Sequence, residues 1–310
     1  MNPLDVAVVG AGPAGLTAAL ILGRASLGTL LLDAGSPRNA ATRHSHGFLS
    51  RDGIDPAELR SIGRDQLGTY PSVRVLDARV SAARRVEDGF ELTHDQGTVR
   101  ARRLVVATGF RDDLESLGIP GLREAYGTSL FPCPFCDGFE NRALRLAVLT
   151  PGLDDHWIRH YLQMIRTLSS PDLVLYTHGR ALDEPLRSEL AALGIPVVEQ
   201  PILRVESSGG MLEGVRTADQ VLHPHRAGFL GGPYPTAASD LLDQLGVPRD
   251  EHPMGFAVPR TEPDGATEIP GLYAVGDART GGGSLMTAAA QGWTCAARIV
   301  HAVAQERWSG

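Results

Sequence analysis

Cysteine is scarce, with three in 310 residues. A disulfide scaffold requires a dense and paired set, so that class is excluded, and Cys133 and Cys136 remain as the one closely spaced pair. No apolar run is long enough to cross a bilayer, which argues against membrane partners. A basic block is missing too. The charges are interspersed and sum to −7, so neither a nucleic-acid nor an anionic-membrane surface is expected. The apolar stretch from Val6 to Leu22 lacks the basic flank of an export signal and is interrupted by Gly10, Gly12, Pro13 and Gly15, so a cytoplasmic location is expected.

What is present fits an enzyme. Hydrophobic residues make up 43 % of the chain, sufficient for a large core, and its length predicts two domains. Strand patterns alternate with helix patterns, the signature of an α/β fold with parallel sheets. A buried strand is expected over Asp5 to Val9, a helix over Pro13 to Gly23, a strand over Leu30 to Asp33, a loop-rich excursion over 34 to 72 with a helix from Pro56 to about Leu67, and a strand over Leu104 to Ala107. A second βαβ unit begins at Leu144 to Leu149, with a helix near His156 to Leu168, a strand Leu173 to Tyr176, a helix around Glu184 to Leu193 and a strand at Val197 and Val198. Turn residues cluster near Gly231-Gly232-Pro233, and a last helix runs from about Leu285 to Gln305.

Gly10-Ala11-Gly12-Pro13-Ala14-Gly15 is GxGxxG between a strand and a helix, and Asp33 follows 23 residues after Gly10 at the end of the next strand. In such a unit the first glycine permits the tight turn, the second lets backbone approach a pyrophosphate, and the third allows close helix packing. The helix N-terminus attracts the phosphates, and the acid accepts from ribose hydroxyls. This identifies a dinucleotide site without choosing between FAD and NAD. Two later segments bear on that choice, Ala107-Thr108-Gly109 closing a strand and Tyr273-Ala274-Val275-Gly276-Asp277. By itself, Asp277 also reads as a turn residue or a helix cap.

Cys133-Pro134-Phe135-Cys136-Asp137-Gly138 carries two thiols at disulfide spacing. A zinc site would need two further ligands, for which only a distant Cys295 and scattered histidines are available, and an inert buried pair is the other alternative to redox chemistry. Asp137 reads equally as a helix N-cap or as a proton carrier, and His46 as a loop histidine or a site residue. Cys295, flanked by Ala296, Ala297 and Ile299, reads as a small core residue.

Taken together, the GxGxxG unit, the CxxC-Asp-Gly and the late Gly276-Asp277 resemble the low-molecular-weight thioredoxin reductase family over nearly the whole chain. Asp33 to Asn39, His46 to Gly53 and Cys133-Pro134-Phe135-Cys136-Asp137-Gly138-Phe139-Glu140 are similar, more specifically, to the thioredoxin-reductase-like dithiol oxidases of the gliotoxin and holomycin type. Those oxidases commonly carry His after the second cysteine, where this chain has Asp137.

The resemblance implies a two-domain flavin disulfide reductase-like fold, with a Rossmann-type FAD domain from residues 1–114 and 233–310 and a smaller inserted Rossmann-like domain, 115–232, carrying the CxxC. It implies FAD held by Gly10, Gly12, Pro13, Ala14, Gly15, Asp33, Ala34, Arg38, Asn39, His46, Val80, Ala107, Thr108, Gly109, Gly276, Asp277, Met286 and Thr287, with Asp277 on the ribityl chain. Cys136 would face the flavin, Cys133 would exchange with substrate, Asp137 would move protons, and His46 would complete the catalytic set. A homodimer, a small-molecule dithiol substrate and O2 as acceptor are implied likewise, and no metal.

The inserted domain lacks a phosphate loop. After its first strand the chain reads Thr150-Pro151-Gly152-Leu153-Asp154-Asp155, with one glycine, a leucine in the way of a pyrophosphate and two carboxylates where a phosphate would bind. Basic residues for a 2′-phosphate are reduced to His178 and Arg180. An oxidase that dispenses with nicotinamide is therefore expected, against an NAD(P)H- or ferredoxin-driven reductase of a thioredoxin-like protein and a flavin-bound redox sensor. Denaturing the purified yellow protein should release FAD; release of FMN, or of no flavin, would overturn this reading.

Overall fold

The computed structural model describes residues 4–232 and 235–309, so residue 233, the expected boundary between domains, lies outside the described residues. The chain divides into two compact units. One comprises Met1–Ala40, Gly47–Asp112 and Pro235–Gly310, the other Ala41–His46 and Asp113–Tyr234.

The first unit is built on a seven-stranded sheet. Four strands are parallel neighbours, in the order Val73–Asp77, Thr29–Asp33, Leu4–Val9 and Gly97–Val106, and Leu272–Ala274 also pairs in parallel with Gly97–Val106. These strands are nearly continuous apolar runs because both faces are covered; Val6, Ala7, Val8, Leu104, Val105 and Val106 are fully buried. Beyond the parallel core, Val80–Val86 and Gly89–His94 extend the sheet as an antiparallel meander onto Gly97–Val106. The last strand therefore starts seven residues earlier than the apolar run Leu104 to Ala107 announces, because its first half alternates exposed Arg100 and Arg102 with buried Ala101 and Arg103.

Helix boundaries follow from local chemistry. Pro13 opens the helix Pro13–Arg24, where its missing N–H costs nothing. The helix Pro56–Leu67 starts at Asp55, whose carboxylate accepts from the N–H groups of Ala57 at 2.6 Å and Glu58 at 3.1 Å. Helix Pro13–Arg24 buries Ala14, Gly15, Ala18 and Ala19, side chains small enough to let the C-terminal helix Leu285–Ser309 lie directly on it.

The second unit carries a five-stranded parallel sheet in the order Val197–Val198, Leu173–Tyr176, Leu146–Leu149, Ala227–Leu230 and Leu130–Phe131. Helix Asp155–Leu168 buries Ile158, Leu162 and Ile165 at four- and three-residue spacing against it. A separate antiparallel sheet, Ile202–Ser208, Met211–Thr217 and Leu222–Pro224, was not announced by the apolar pattern, since these short strands mix exposed and buried residues. Among the described residues, no helix is long and apolar enough to cross a membrane.

The helix crossing in the first unit is set by Gly292, where a Cβ would collide with the Ala14 carbonyl oxygen. Gly292→Ala should lower the unfolding free energy by about 1–3 kcal/mol through overpacking, measured as a shift of the urea midpoint at constant slope.

Candidate active site

A backbone cradle forms at one edge of the first unit. Val9 is opposite Val106, and Val106 is opposite Ala274, so the segments leaving these three strands, 10–15, 107–109 and 275–277, emerge side by side at the carboxyl edge of the sheet. Gly10 has φ +105°, and any Cβ there would strike the Ala107 carbonyl; a Cβ on Gly15 would strike the Gly10 carbonyl. Gly12 differs, because nothing lies within 4 Å of its Cβ position. It caps the helix Pro13–Arg24, whose first N–H groups receive no side-chain cap hydrogen bond. Such a cradle fits a dinucleotide pyrophosphate.

The surrounding side chains brace it. Asp33 accepts from Ala11 N–H at 3.1 Å and from Arg64 at 2.7 Å, and Arg64 also reaches Asp77 at 2.6 Å. Arg64 is invisible to a motif search, because it lies 31 residues from its partner on another element. Ala34 follows Asp33 at the surface. Thr108 accepts from Ser239 at 3.0 Å, and Gly109 takes φ +73° to turn the chain. Gly276 donates its N–H to Gln291 at 2.9 Å, and its Cβ position lies 2.8 Å from the Ala14 side chain, which binds the first and third segments together.

Asp277 is the first residue of a short helix whose cap is Gly276, so it is not itself the cap. Burial raises its pKa to about 6; Arg38 opposes the shift and Asp112 adds to it. Arg38 grips Asp112 through two nitrogens at 2.7 and 3.1 Å and lies 4.4 Å from the centre of the Phe110 ring. Asn39 accepts from Arg60 at 3.1 Å. Met286 and Thr287 open the C-terminal helix, where Ser284 and Thr287 cap each other, Thr287 N–H to Ser284 Oγ at 3.1 Å and Ser284 N–H to Thr287 Oγ1 at 2.9 Å. Val80 begins the meander half-buried.

The second unit holds the thiols. Cys133 caps the one-turn helix Pro134–Asp137, and its carbonyl accepts from Cys136 N–H at 3.1 Å and Asp137 N–H at 3.2 Å. This turn brings the two Sγ atoms to 2.7 Å, with Cys133 half-buried and Cys136 exposed. Because Cys133 takes the cap position, Asp137 is released from that role. It lies in the last turn, where burial, then Cys133, then Glu140 raise its pKa to about 7. Gly138 lets this turn seat closely, since a Cβ there would lie 2.8 Å from the Leu168 carbonyl oxygen. Asn141 donates to the Asp137 carbonyl at 2.7 Å.

His46 folds with this second unit, and its Nε2 lies 3.6 Å from Glu140. Glu140, part of the quoted motif but given no role there, and Tyr161, which the sequence reading passed over, thus border the pair: Tyr161 donates to the Pro132 carbonyl at 3.1 Å. Cys295 is fully buried, and burial pushes its thiol far above the ordinary cysteine range. No group of three or more His, Cys, Asp or Glu residues able to hold a metal occurs among the described residues.

The loop after strand Leu146–Leu149 is closed by its own side chains. Asp154 caps the helix Asp155–Leu168 by accepting from Trp157 N–H at 2.9 Å. Asp155 pairs with Arg180 and accepts from Asp183 N–H at 2.9 Å. Leu153 turns into the core, only 3 % exposed, instead of projecting over the helix terminus. Leu153 therefore does not stand in the way of a pyrophosphate as expected, and the two aspartates are what lie at the helix terminus.

Residues 4–152 match the family model described as pyridine nucleotide-disulphide oxidoreductase. A probable thioredoxin reductase of Arthroderma benhamiae is 30 % identical over 314 residues, spanning 90 % of this chain and 74 % of that protein. Among solved structures, a putative thioredoxin reductase TrxB from Bacillus anthracis superposes with a TM-score of 0.91 at 34 % identity, covering 98 % of this chain and 99 % of that one. HlmI superposes with a TM-score of 0.88, also at 34 % identity, over 99 % and 94 % of the two chains.

The raised pKa of Asp137 has a thermodynamic sign. A carboxyl that ionises near 4 when unfolded and at about 7 when folded favours the fold fully below pH 4, and that contribution is lost as pH rises through 7. Asp137→Asn cannot ionise, so it should gain on the parent protein by about 1–3 kcal/mol between pH 5 and pH 8, read from urea midpoints at the two pH values. A constant difference would show that Asp137 ionises normally.

Proposed function

The chain belongs to the pyridine nucleotide-disulphide oxidoreductase family, whose thioredoxin-reductase-like members are FAD enzymes, and we propose that it is an FAD-dependent dithiol oxidase acting on a small-molecule dithiol. The observation that carries this reading is the closed loop of the second unit: Asp154 caps the helix terminus and Asp155 pairs with Arg180, so carboxylates stand where the phosphates of a nicotinamide dinucleotide would need donors. The thiol pair, by contrast, is intact.

Gly10, Gly12, Pro13, Ala14 and Gly15 would cradle the FAD pyrophosphate, with Asp33 and Ala34 toward the ribose and Thr108, Gly109, Gly276, Asp277, Met286 and Thr287 toward the ribityl and ring portion. Arg38, Asn39, Val80 and Ala107 complete that set. Bound FAD would supply a two-electron acceptor for the thiol pair, with O2 as the terminal oxidant reduced to hydrogen peroxide.

The chain's own part is thiol exchange. A substrate thiolate attacks Cys133 in the Cys133–Cys136 disulfide, the sulfur–sulfur bond breaks, and Cys136 leaves as thiolate with the electron pair. The second substrate thiol then attacks the substrate sulfur of the mixed disulfide and releases Cys133 as thiolate. The substrate departs as an intramolecular disulfide, oxidised by two electrons, and the pair is reduced by two. Asp137, titrating near neutrality, takes up and releases the protons, and Glu140 with His46 modulates it. A homodimer in the cytoplasm is part of this reading. The names of the relatives favour a second one, an NAD(P)H-driven disulfide reductase.

Anaerobic mixing separates the two. Dithiothreitol should bleach the flavin, and Cys136→Ser should abolish that reaction. Micromolar NADPH should act at least about a hundredfold more slowly, since each ~1.4 kcal/mol of lost binding is tenfold. Rapid bleaching by NADPH or NADH would sink the oxidase reading. Cys295→Ala should leave turnover intact.

A further inference from the structure

We propose that Tyr161 is a positioning residue for the Cys133–Cys136 couple, propped by Leu153, the side chain that fills the closed nucleotide loop. This rests on the redox role assigned to that couple. Tyr161 lies on the helix Asp155–Leu168, and its hydroxyl donates to the carbonyl of Pro132, the residue directly before Cys133. Pro132 and Pro134 flank Cys133, and Pro134 has no N–H. The Cys133 carbonyl is already committed to Cys136 and Asp137. The Tyr161 hydroxyl therefore anchors the entering side of Cys133, while the helical turn anchors the leaving side.

The tyrosine is itself fixed. A Cβ at Gly231 would lie 2.9 Å from both Tyr161 Cδ1 and Leu153 Cδ1, so the two side chains crowd onto the same glycine. Leu153 is in the buried core of the unit, and Tyr161 packs against that core. The closed loop is thus part of the support for the thiols. Burial, then the neighbouring Cys133, Tyr126 and Asp137, hold the phenol neutral well above its ordinary pKa, so it stays a donor whichever state the couple is in.

Fixing Cys133 on both sides raises the effective concentration of one thiol for the other, which favours disulfide closure. In a glutathione buffer the couple and glutathione disulfide react to give the protein disulfide and two glutathione thiols, with two electrons transferred. The equilibrium constant of this exchange should fall about three- to tenfold in Tyr161→Phe, the range of a typical net hydrogen bond, and at least about twofold in Leu153→Ala. Trapping the thiols by alkylation and weighing the products measures it without turnover.

Tyr176→Phe is the control. It removes a buried hydroxyl in the same unit that pairs with His225 at 2.8 Å, and it should leave the equilibrium unchanged. An equilibrium unmoved in Tyr161→Phe or in Leu153→Ala overturns the proposal, as does an equal shift in Tyr176→Phe, which would mark general loosening. A parent protein that never closes a Cys133–Cys136 disulfide would refute the redox reading instead.

Discussion

The level ending of three parallel strands is the constraint on which the larger unit depends. Because Val9, Val106 and Ala274 are in register, three loops from distant parts of the chain meet at one edge, where Gly10 lets the first approach the Ala107 backbone and Gly276 lets the third approach the Ala14 side chain. The approach is so close that a Cβ is excluded at Gly10. At the helix terminus nothing lies within 4 Å of the Gly12 Cβ position, and the acids Asp33 and Asp277 are held at the rim. Electrostatics then follows from packing: Asp277 is raised because it is buried there, and Arg38, tied to Asp112, tempers the shift.

The second unit solves a different problem on a similar frame. A one-turn helix holds two sulfurs 2.7 Å apart, with Cys133 half-buried and Cys136 exposed. Three features hold it: the Gly138 turn seated by the Leu168 carbonyl, the Tyr161 hydroxyl on Pro132, and the Asp137 carboxyl, which burial, with Cys133 and then Glu140 adding to it, keeps protonated up to about neutrality. Tyr161 and Leu168 both come from the helix Asp155–Leu168, so the geometry of the pair depends on how that helix packs.

Much of this was legible in the sequence where chemistry is local. The GxGxxG turn, the carboxylates Asp154 and Asp155 at a helix start, the CxxC spacing and the buried runs such as Leu146–Leu149 depend on neighbours within a few positions. The antiparallel meander and the separate three-stranded sheet were not, because their half-exposed strands carry no continuous apolar signal. Arg64, Glu140, Tyr161 and the inward turn of Leu153 were equally hidden, since each owes its role to a partner brought close only by folding.

The way in which the second loop is closed bears on how freely it can change. Asp155 joins Arg180 and the Asp183 backbone, and the Asp183 side chain in turn caps the next helix by accepting from Leu186 N–H at 2.8 Å. Installing a nucleotide loop by one substitution would therefore strip support from two helices before any cofactor could repay it. Under the oxidase proposal, such an arrangement would work as a ratchet: with structural bonds threaded through this loop, acquiring a nucleotide there would require several simultaneous changes.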